Sequence, residues 1–488
     1  MSERTASSFA GAIPRPAARL EPNAIGVAQD TVIGMASSAP AATVGLSIAG
    51  LAAATAYGSG PILILTALPM LIIANAYRRL NLWNANCGAT FEWVGRAINP
   101  YLGFITGWLM VAAYIIGTVA EVLLLGPSVL QVFGVTSFST KASQTWSYVG
   151  IGGAVGVVML IVAIVGIRIT ARTQVGIALV EYLILIGLSI AGLFWVLGHH
   201  AGSVHITSGW FSLSGVAGNG NAVNGFLIAV FIYGGWDGTL YVNEEVKHRR
   251  VNPGRAAIIA VALLAVIYTL AQVGLQGVIS KHRLNVTSNT GTTLVVIAHM
   301  LGGGFWAKAM ALAIALSVIA TTGTGIVLGA RLVYGMASYR ALPGFLSTVS
   351  RRFATPVFAS MLVGVGIIVL SAVYYLATSV QSAFYDVIAV TGFLFSIFYV
   401  MTALAAMVYY RRRVFSRAWD FVVLGILPLC AAIFLGLVLV KSLLDATAAQ
   451  NWSLVGIIVV GVVMMVVARV GLRSPFFHIR RESDTERA

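Results

Sequence analysis

Twelve long apolar runs separated by short polar connections restrict what this chain can fold into more than any other feature of its sequence. Their approximate limits are Val27 to Thr55, Gly60 to Ala76, Leu102 to Phe133, Tyr148 to Gly166, Gln174 to Leu197 and Val223 to Val246 in the first half. The second half continues with Arg255 to Ile279, Phe305 to Ala337, Pro356 to Ala377, Phe384 to Tyr410, Phe421 to Val440 and Leu454 to Arg469. A helix crosses the hydrocarbon of a bilayer in about 20 apolar residues. The runs are continuous rather than alternating, which separates them from the strands of a membrane barrel. Only 9% of the residues are charged, against roughly 25% in a soluble protein, so little chain is left for a soluble domain. The expected fold class is an all-α integral membrane protein with twelve transmembrane helices.

The charges that remain sort by side. With the N-terminus in the cytosol, only Lys141, Lys281, Arg283, Lys308 and Lys441 of the 30 Lys and Arg fall outside. The rest fall in the tails and cytosolic loops, as the positive-inside rule requires for an even number of spans. The net charge of +15 is thereby assigned to orientation and anionic lipid; nucleic acid would need a soluble basic face. Residues 1–22, with Arg4, Arg15 and Arg19, have no apolar core of the signal-peptide type and read as a cytosolic tail. Cys87 and Cys430 fit neither a disulfide framework nor a metal-ligand spacing.

Two runs carry their own interruption. The first reads Gly34-Met35-Ala36-Ser37-Ser38-Ala39-Pro40, and Pro40 removes an amide hydrogen while disfavouring helical geometry at Ala39. The sixth reads Phe231-Ile232-Tyr233-Gly234-Gly235-Trp236-Asp237-Gly238, with three glycines and a carboxylate where a span should be most apolar. Breaks at runs one and six are the pattern of a transporter built from inverted repeats. The domains expected are a core over 23–410, made of five-helix repeats at about 23–200 and 221–410, two further helices over 411–471, and a cytosolic tail over 472–488. Unwound backbone offers polar groups at membrane depth. Amides around Ser37, Ser38, Ala39 and Ala41 suit a carboxylate, and carbonyls of Phe231, Ile232 and Gly234 suit an ammonium. An α-amino acid presents both charges. Both breaks could also be plain kinks between packed helices.

These residues resemble the amino acid, polyamine and organocation transporter superfamily over most of the first ten spans. The likeness rests on Tyr233-Gly234-Gly235-Trp236-Asp237 with Glu244-Glu245 and Asn252-Pro253, and on Asn86-Cys87-Gly88-Ala89-Thr90-Phe91 leading to Gly103-Phe104-Ile105-Thr106-Gly107-Trp108. It rests also on Ala330-Arg331-Leu332-Val333-Tyr334-Gly335-Met336 followed by Leu342-Pro343 and Thr355-Pro356. The resemblance implies five plus five inverted helices with two more at the end, alternating access, and substrate held between helices 1 and 6. Helix 1 departs from the family, with Ser37-Ser38-Ala39-Pro40 where many members have a Gly-Ser-Gly type break. Some members join a heavy subunit through a cysteine between helices 3 and 4; Gly134 to Ser147 has none, so no disulfide-linked partner is expected.

Three carboxylates inside the spans are the candidates for coupling, Glu121, Glu181 and Asp237, each costly at the bilayer centre. Glu181 falls on helix 5, where some proton-coupled relatives place a lysine, and is the candidate proton carrier; its plainer role is a bond to a neighbouring helix. Asp237 either gates or caps the restarted half of helix 6, and Glu121 has no visible partner. Tyr114, Phe231 and Trp236 are candidate aromatic walls or gates. Sodium is the alternative coupling ion, held by Thr321 and Thr322 with carbonyls of Ile33 and Ala36, although Thr324 and its neighbours could equally bond their own helix. Glu244 and Glu245 beside Lys247, Arg249 and Arg250 read as an interfacial charge network. No resident metal or cofactor is expected. A membrane enzyme would need a catalytic cluster, but five of the seven histidines fall in or near outer loops. The expected activity is secondary transport of an α-amino acid in the cell membrane, with protons or by exchange. A polyamine or organic cation permease and a sodium symporter are the alternatives.

Overall fold

A computed structural model describes residues 19–482 apart from 56, 136, 201, 213–221, 281, 285–292, 378–379 and 480. The tail expected over 1–22 therefore lies outside the described residues up to residue 18, as do Lys281, Arg480 and residues 483–488. Helices follow the apolar runs, and no strand occurs among the described residues beyond one bridge between Ile25 and Val246.

The first run forms α1 (Val27–Ala36) and α2 (Pro40–Thr55), separated at Ser37 to Ala39. Then come α3 (Ser59–Trp83), the short α4 (Thr90–Ala97), α5 (Pro100–Val122), α6 (Leu125–Val132), α7 (Lys141–Val165) and α8 (Ile167–Leu197). The sixth run becomes α9 (Ala222–Ile232), a turn, and a 3-10 stretch Trp236–Leu240. The chain continues through α10 (Asn252–Leu275), α11 (Thr293–Ser338), α12 (Val357–Ala377), α13 (Val380–Tyr409), α14 (Ala418–Asp445) and α15 (Ala448–Gly471).

Several expected limits are corrected. Eleven helices among the described residues are long and apolar enough to cross a bilayer. The sixth run, Val223 to Val246, is cut at its glycines as expected, into pieces each shorter than a bilayer is thick. The third run bends between α5 and α6, and the fifth begins at Ile167, which puts Arg168 and Arg172 on the helix itself. The eighth begins next to the expected Phe305, and a separate helical segment from Thr293 meets it at a kink at Gly302 and Gly303, the latter at φ +77°.

The side chains facing lipid are apolar and exposed along α7, α12, α14 and α15. The buried polar groups gather inside, where α1, α2 and the broken sixth run pack among α5, α8, α10 and α11. Toward the face that bears the basic loops, the chain is tied in several layers. Backbone amides of Ala24 and Ile25 donate to the Glu245 carbonyl at 2.8 and 3.2 Å, and the Lys247 amide donates to Ile25 at 2.9 Å. The residues before α1 are thus docked rather than a free tail, with Leu20 buried.

Beside this tie, Arg331 donates to both oxygens of Glu245, Nε to Oε2 at 3.0 Å and Nη2 to Oε1 at 2.9 Å, with both side chains fully buried. Glu244 accepts the Cys87 amide at 3.1 Å. These acids were expected in an interfacial network with Lys247, Arg249 and Arg250; instead Glu245 is a core residue, because the 3-10 turn Asn243–Glu245 aims it inward at α11. Arg331, expected among the cytosolic topology charges, is its buried partner.

Removing one member of a buried pair strands the other charge, at about 3 to 5 kcal/mol, whereas replacing both with apolar groups is far milder. Arg331→Met should therefore lower the thermal midpoint in detergent strongly, and Arg331→Met with Glu245→Met should recover most of the loss. Equal midpoints for the single and double variants would contradict the pairing.

Candidate functional site

The two interruptions meet. In α1 the last carbonyls are consumed by its own end: the Ser37 amide donates to Ile33 at 3.1 Å, Ser38 to Met35 at 3.1 Å and Ala39 to Ala36 at 3.2 Å. Ala39 then adopts φ +44° and Pro40 opens α2. In the sixth run Gly235 takes φ +106°. The Ser37 hydroxyl donates across to the Gly235 carbonyl, and a Cβ built on Gly235 would sit 2.6 Å from the Ser37 carbonyl oxygen. Each unwound stretch supplies polar partners that lipid cannot.

The N-terminus of α2 is occupied. The Ala41 amide donates to Glu181 Oε1 at 2.9 Å and the Ala42 amide to the Ser317 hydroxyl at 3.4 Å. The expected carboxylate seat at Ser38, Ala39 and Ala41 thus exists at Ala41 but holds the chain's own carboxylate, whose charge suits a helix N-terminus. The amides of Ser38 and Ala39, expected to bind substrate, are instead spent on α1. Glu181 stands midway along α8, buried, so its helix position and its partner both follow from α8 crossing the break.

Beside the break lies a small cavity. Ser37 and Ser38 line it from the first run, Phe231 and Gly234 from the sixth, and Tyr114 with Glu121 from α5. Thr321 of α11 and Phe395 of α13 close it. Of the expected site residues, Ala39, Ala41, Glu181, Ile232, Trp236 and Asp237 do not line this space, nor do Ile33, Ala36 and Thr322 of the sodium set. The Phe231 carbonyl already accepts the Gly234 amide at 2.8 Å. Thr43 and Phe395 line it and were missed; Phe395 is one apolar residue in an apolar run, with no sequence signal to single it out.

Asp237 is buried among phenols, accepting from Tyr399 at 2.8 Å and from Tyr241. The expected alternative, a cap on a restarted α-helix, fails because Trp236–Leu240 is a single 3-10 stretch. Trp236 stacks on Tyr399 with ring centroids 5.3 Å apart and meets Tyr77 edge-on, making a plug between cavity and basic face. Tyr114 packs edge-on against Tyr241, its hydroxyl 3.5 Å from the Gly235 carbonyl.

For the sodium set, the Thr321 hydroxyl donates to the Ala36 carbonyl at 2.7 Å and is also 3.0 Å from the Ser317 carbonyl. Thr322 bonds Val318 of its own helix at 2.8 Å, and the Ile33 carbonyl accepts the Ser37 amide. The Thr321 hydroxyl and the Ala36 carbonyl of the set are thus adjacent, and each of the four groups is engaged in a hydrogen bond within the protein. Outside the spans, burial and then the nearby Glu244 push the Cys87 thiol up, which suits a structural cysteine. Asp30 of α1 is a further buried acid that the sequence reading passed over; neither oxygen has a hydrogen-bond partner among the described residues.

Comparison with known proteins adds the following. Residues 29–467 match the family model described as amino acid permease. The human large neutral amino acids transporter small subunit 2 is 27% identical over 177 residues, 36% of this chain and 31% of that protein. The match thus spans about a third of that relative's length. The methylthioribose transporter of Bacillus subtilis (strain 168) is 24% identical over 335 residues, covering 65% of this chain and 68% of that one. The vacuolar cationic amino acid transporter 4 of Arabidopsis thaliana is 24% identical over 334 residues, 67% and 51% of the two chains. Among solved structures, the Eremococcus coleocola manganese transporter superposes with a TM-score of 0.56 at 12% identity, over 91% of this chain and 95% of that one. At that identity it is a likeness of fold.

The juxtaposition of breaks predicts a local sensitivity. Gly235→Ala would force a side chain into a left-handed backbone and onto the Ser37 carbonyl, and the handedness alone costs roughly 1 to 2 kcal/mol. Its thermal midpoint should fall well below that of Gly366→Ala, whose added methyl meets nothing within 4 Å. Equal midpoints would contradict the close approach.

Proposed function

The chain belongs to the amino acid permease family, and from that premise we propose that it is a secondary transporter carrying an α-amino acid by alternating access, with protons as the coupling ion. The observation that carries the proposal is the bond between Glu181 and the Ala41 amide at the start of α2.

That amide end is an anion seat with a single free donor. The Ser38 and Ala39 amides are committed to α1 and position 40 is proline. While Glu181 is ionised it holds the seat, through a charge-assisted bond and the helix dipole. Protonation removes the charge and weakens that hold, so the seat opens to a substrate carboxylate. Proton and carboxylate then favour each other's binding, and by linkage the effect is reciprocal. A substrate arriving with its proton leaves the buried acid neutral during the crossing, which lowers the cost of moving it. The ammonium of the substrate faces the carbonyl side of the sixth run, where the Gly235 and Phe231 oxygens, which accept the Ser37 hydroxyl and the Gly234 amide here, each keep a second lone pair.

Alternating access, in this reading, is a rocking of α1 and the sixth run, as members of two inverted five-helix repeats, against the surrounding helices. The basic face is cytosolic, in accord with the charge sorting, and the chain resides in the cell membrane. The Arg331–Glu245 pair, the Ile25–Val246 bridge and the Trp236–Tyr399 plug then form the cytosolic barrier, closed in this structure. Sodium is the weaker reading because the Thr321 hydroxyl and the Ala36 carbonyl are bonded to each other. The substrate's side chain does not follow from family membership, since the relatives are named for large neutral amino acids, methylthioribose and cationic amino acids. With no cysteine in Gly134 to Ser147, the chain works without a heavy subunit disulfide-linked through that loop.

The test is uptake into proteoliposomes from an amino acid panel under an imposed pH gradient, acid outside. The wild type should accumulate at least one amino acid with the pH gradient and gain nothing from a sodium gradient. Glu181→Gln should still exchange substrate but lose accumulation driven by pH. Gradient-driven accumulation that survives the substitution would sink the assignment.

A further inference from the structure

We propose that Glu121 selects the substrate's side chain, and that the transported amino acid is a basic one carrying a guanidinium or ammonium group distant from its α-carbon. The inference rests on the transport reading above and adds to it the chemical class of substrate.

Glu121 lines the cavity from α5 and is buried. Its Oε2 has no hydrogen-bond partner among the described residues. Its Oε1 lies 3.3 Å from the Thr43 hydroxyl, but that hydroxyl is 2.7 Å from the Ser38 carbonyl. A hydroxyl has one hydrogen, and the shorter contact claims it. Glu121 is therefore a carboxyl on the cavity wall whose Oε2 accepts no hydrogen bond. The Ser38 hydroxyl, which lines the same cavity, is also without a partner.

The charge around Glu121 points one way. No Lys, Arg or His lines the cavity. A side chain without donors would bury Glu121 against itself unpaired, an arrangement proteins avoid. A guanidinium brings five N–H donors and an ammonium three, enough for both oxygens. Tyr114, Phe231 and Phe395 surround the same space, and aromatic faces attract a desolvated cation. Glu181 and Glu121 divide the work: one yields the helix end to the α-carboxylate, the other meets the far cation.

The test pairs near-isosteres. Proteoliposome uptake of L-arginine is compared with L-citrulline, and of L-lysine with L-norleucine, for the wild type, Glu121→Gln and Glu121→Asp. The wild type should prefer the charged member of each pair by about tenfold or more, as a charge-assisted bond implies. Glu121→Gln should bring both ratios toward one, and Glu121→Asp should keep part of the preference. Should Glu121→Gln carry none of the four, the thermal shift given by arginine over citrulline in detergent decides: its loss in Glu121→Gln supports the role, and its retention overturns it. Citrulline and norleucine carried by the wild type as well as their charged partners, or ratios unchanged in Glu121→Gln, overturn the selectivity role alone and leave the transport reading standing. Accumulation of no amino acid from the wider panel overturns both.

Discussion

A buried backbone group without a partner is costly anywhere and has no water to turn to in a bilayer. Two helices broken at the same depth can exist only if each repairs the other. The Ser37 hydroxyl on the Gly235 carbonyl is that repair, and it requires a residue at position 235 with left-handed backbone and no side chain. Once the breaks face each other, the rest is arranged around them. α8 brings Glu181 to the bare end of α2, α11 brings Thr321 to the last carbonyl of α1, and α5 brings Glu121 and Tyr114 to the space left between.

The same stretch of chain also seals one side. Immediately after the second break, Trp236 and Asp237 are held by Tyr399 and Tyr241, and a few residues on Glu245 meets Arg331 while its carbonyl takes the amides leading into α1. Site and seal are thus consecutive in sequence.

Much of this was legible in the residues. The apolar runs announced the helices, Pro40 announced the first break and Gly234-Gly235 the second, because proline and glycine act through local backbone geometry. Glu181 stood out because an acid in a run of leucines and isoleucines is expensive. What stayed hidden depended on packing. That the α2 end would hold Glu181 rather than stand free required the crossing of α8 over the break. Glu245 read as interfacial because its neighbours Lys247, Arg249 and Arg250 are; only the turn at Asn243–Glu245 turns it inward. The sixth run read as one span, and its second half proved too unwound to be an α-helix. Asp30 escaped because it sits where a helix start tolerates acids, and Phe395 because it is one apolar residue among many.

The central claim is that a proton and a substrate carboxylate share the end of α2. Its most direct measurement is the lumenal pH of wild-type proteoliposomes carrying a pH-sensitive dye, with no gradient imposed and an accumulated amino acid added outside. The account requires the lumen to acidify as substrate enters, with Glu181→Gln taking up substrate by exchange and showing no acidification. Substrate entry into wild-type vesicles without any change in lumenal pH would contradict it.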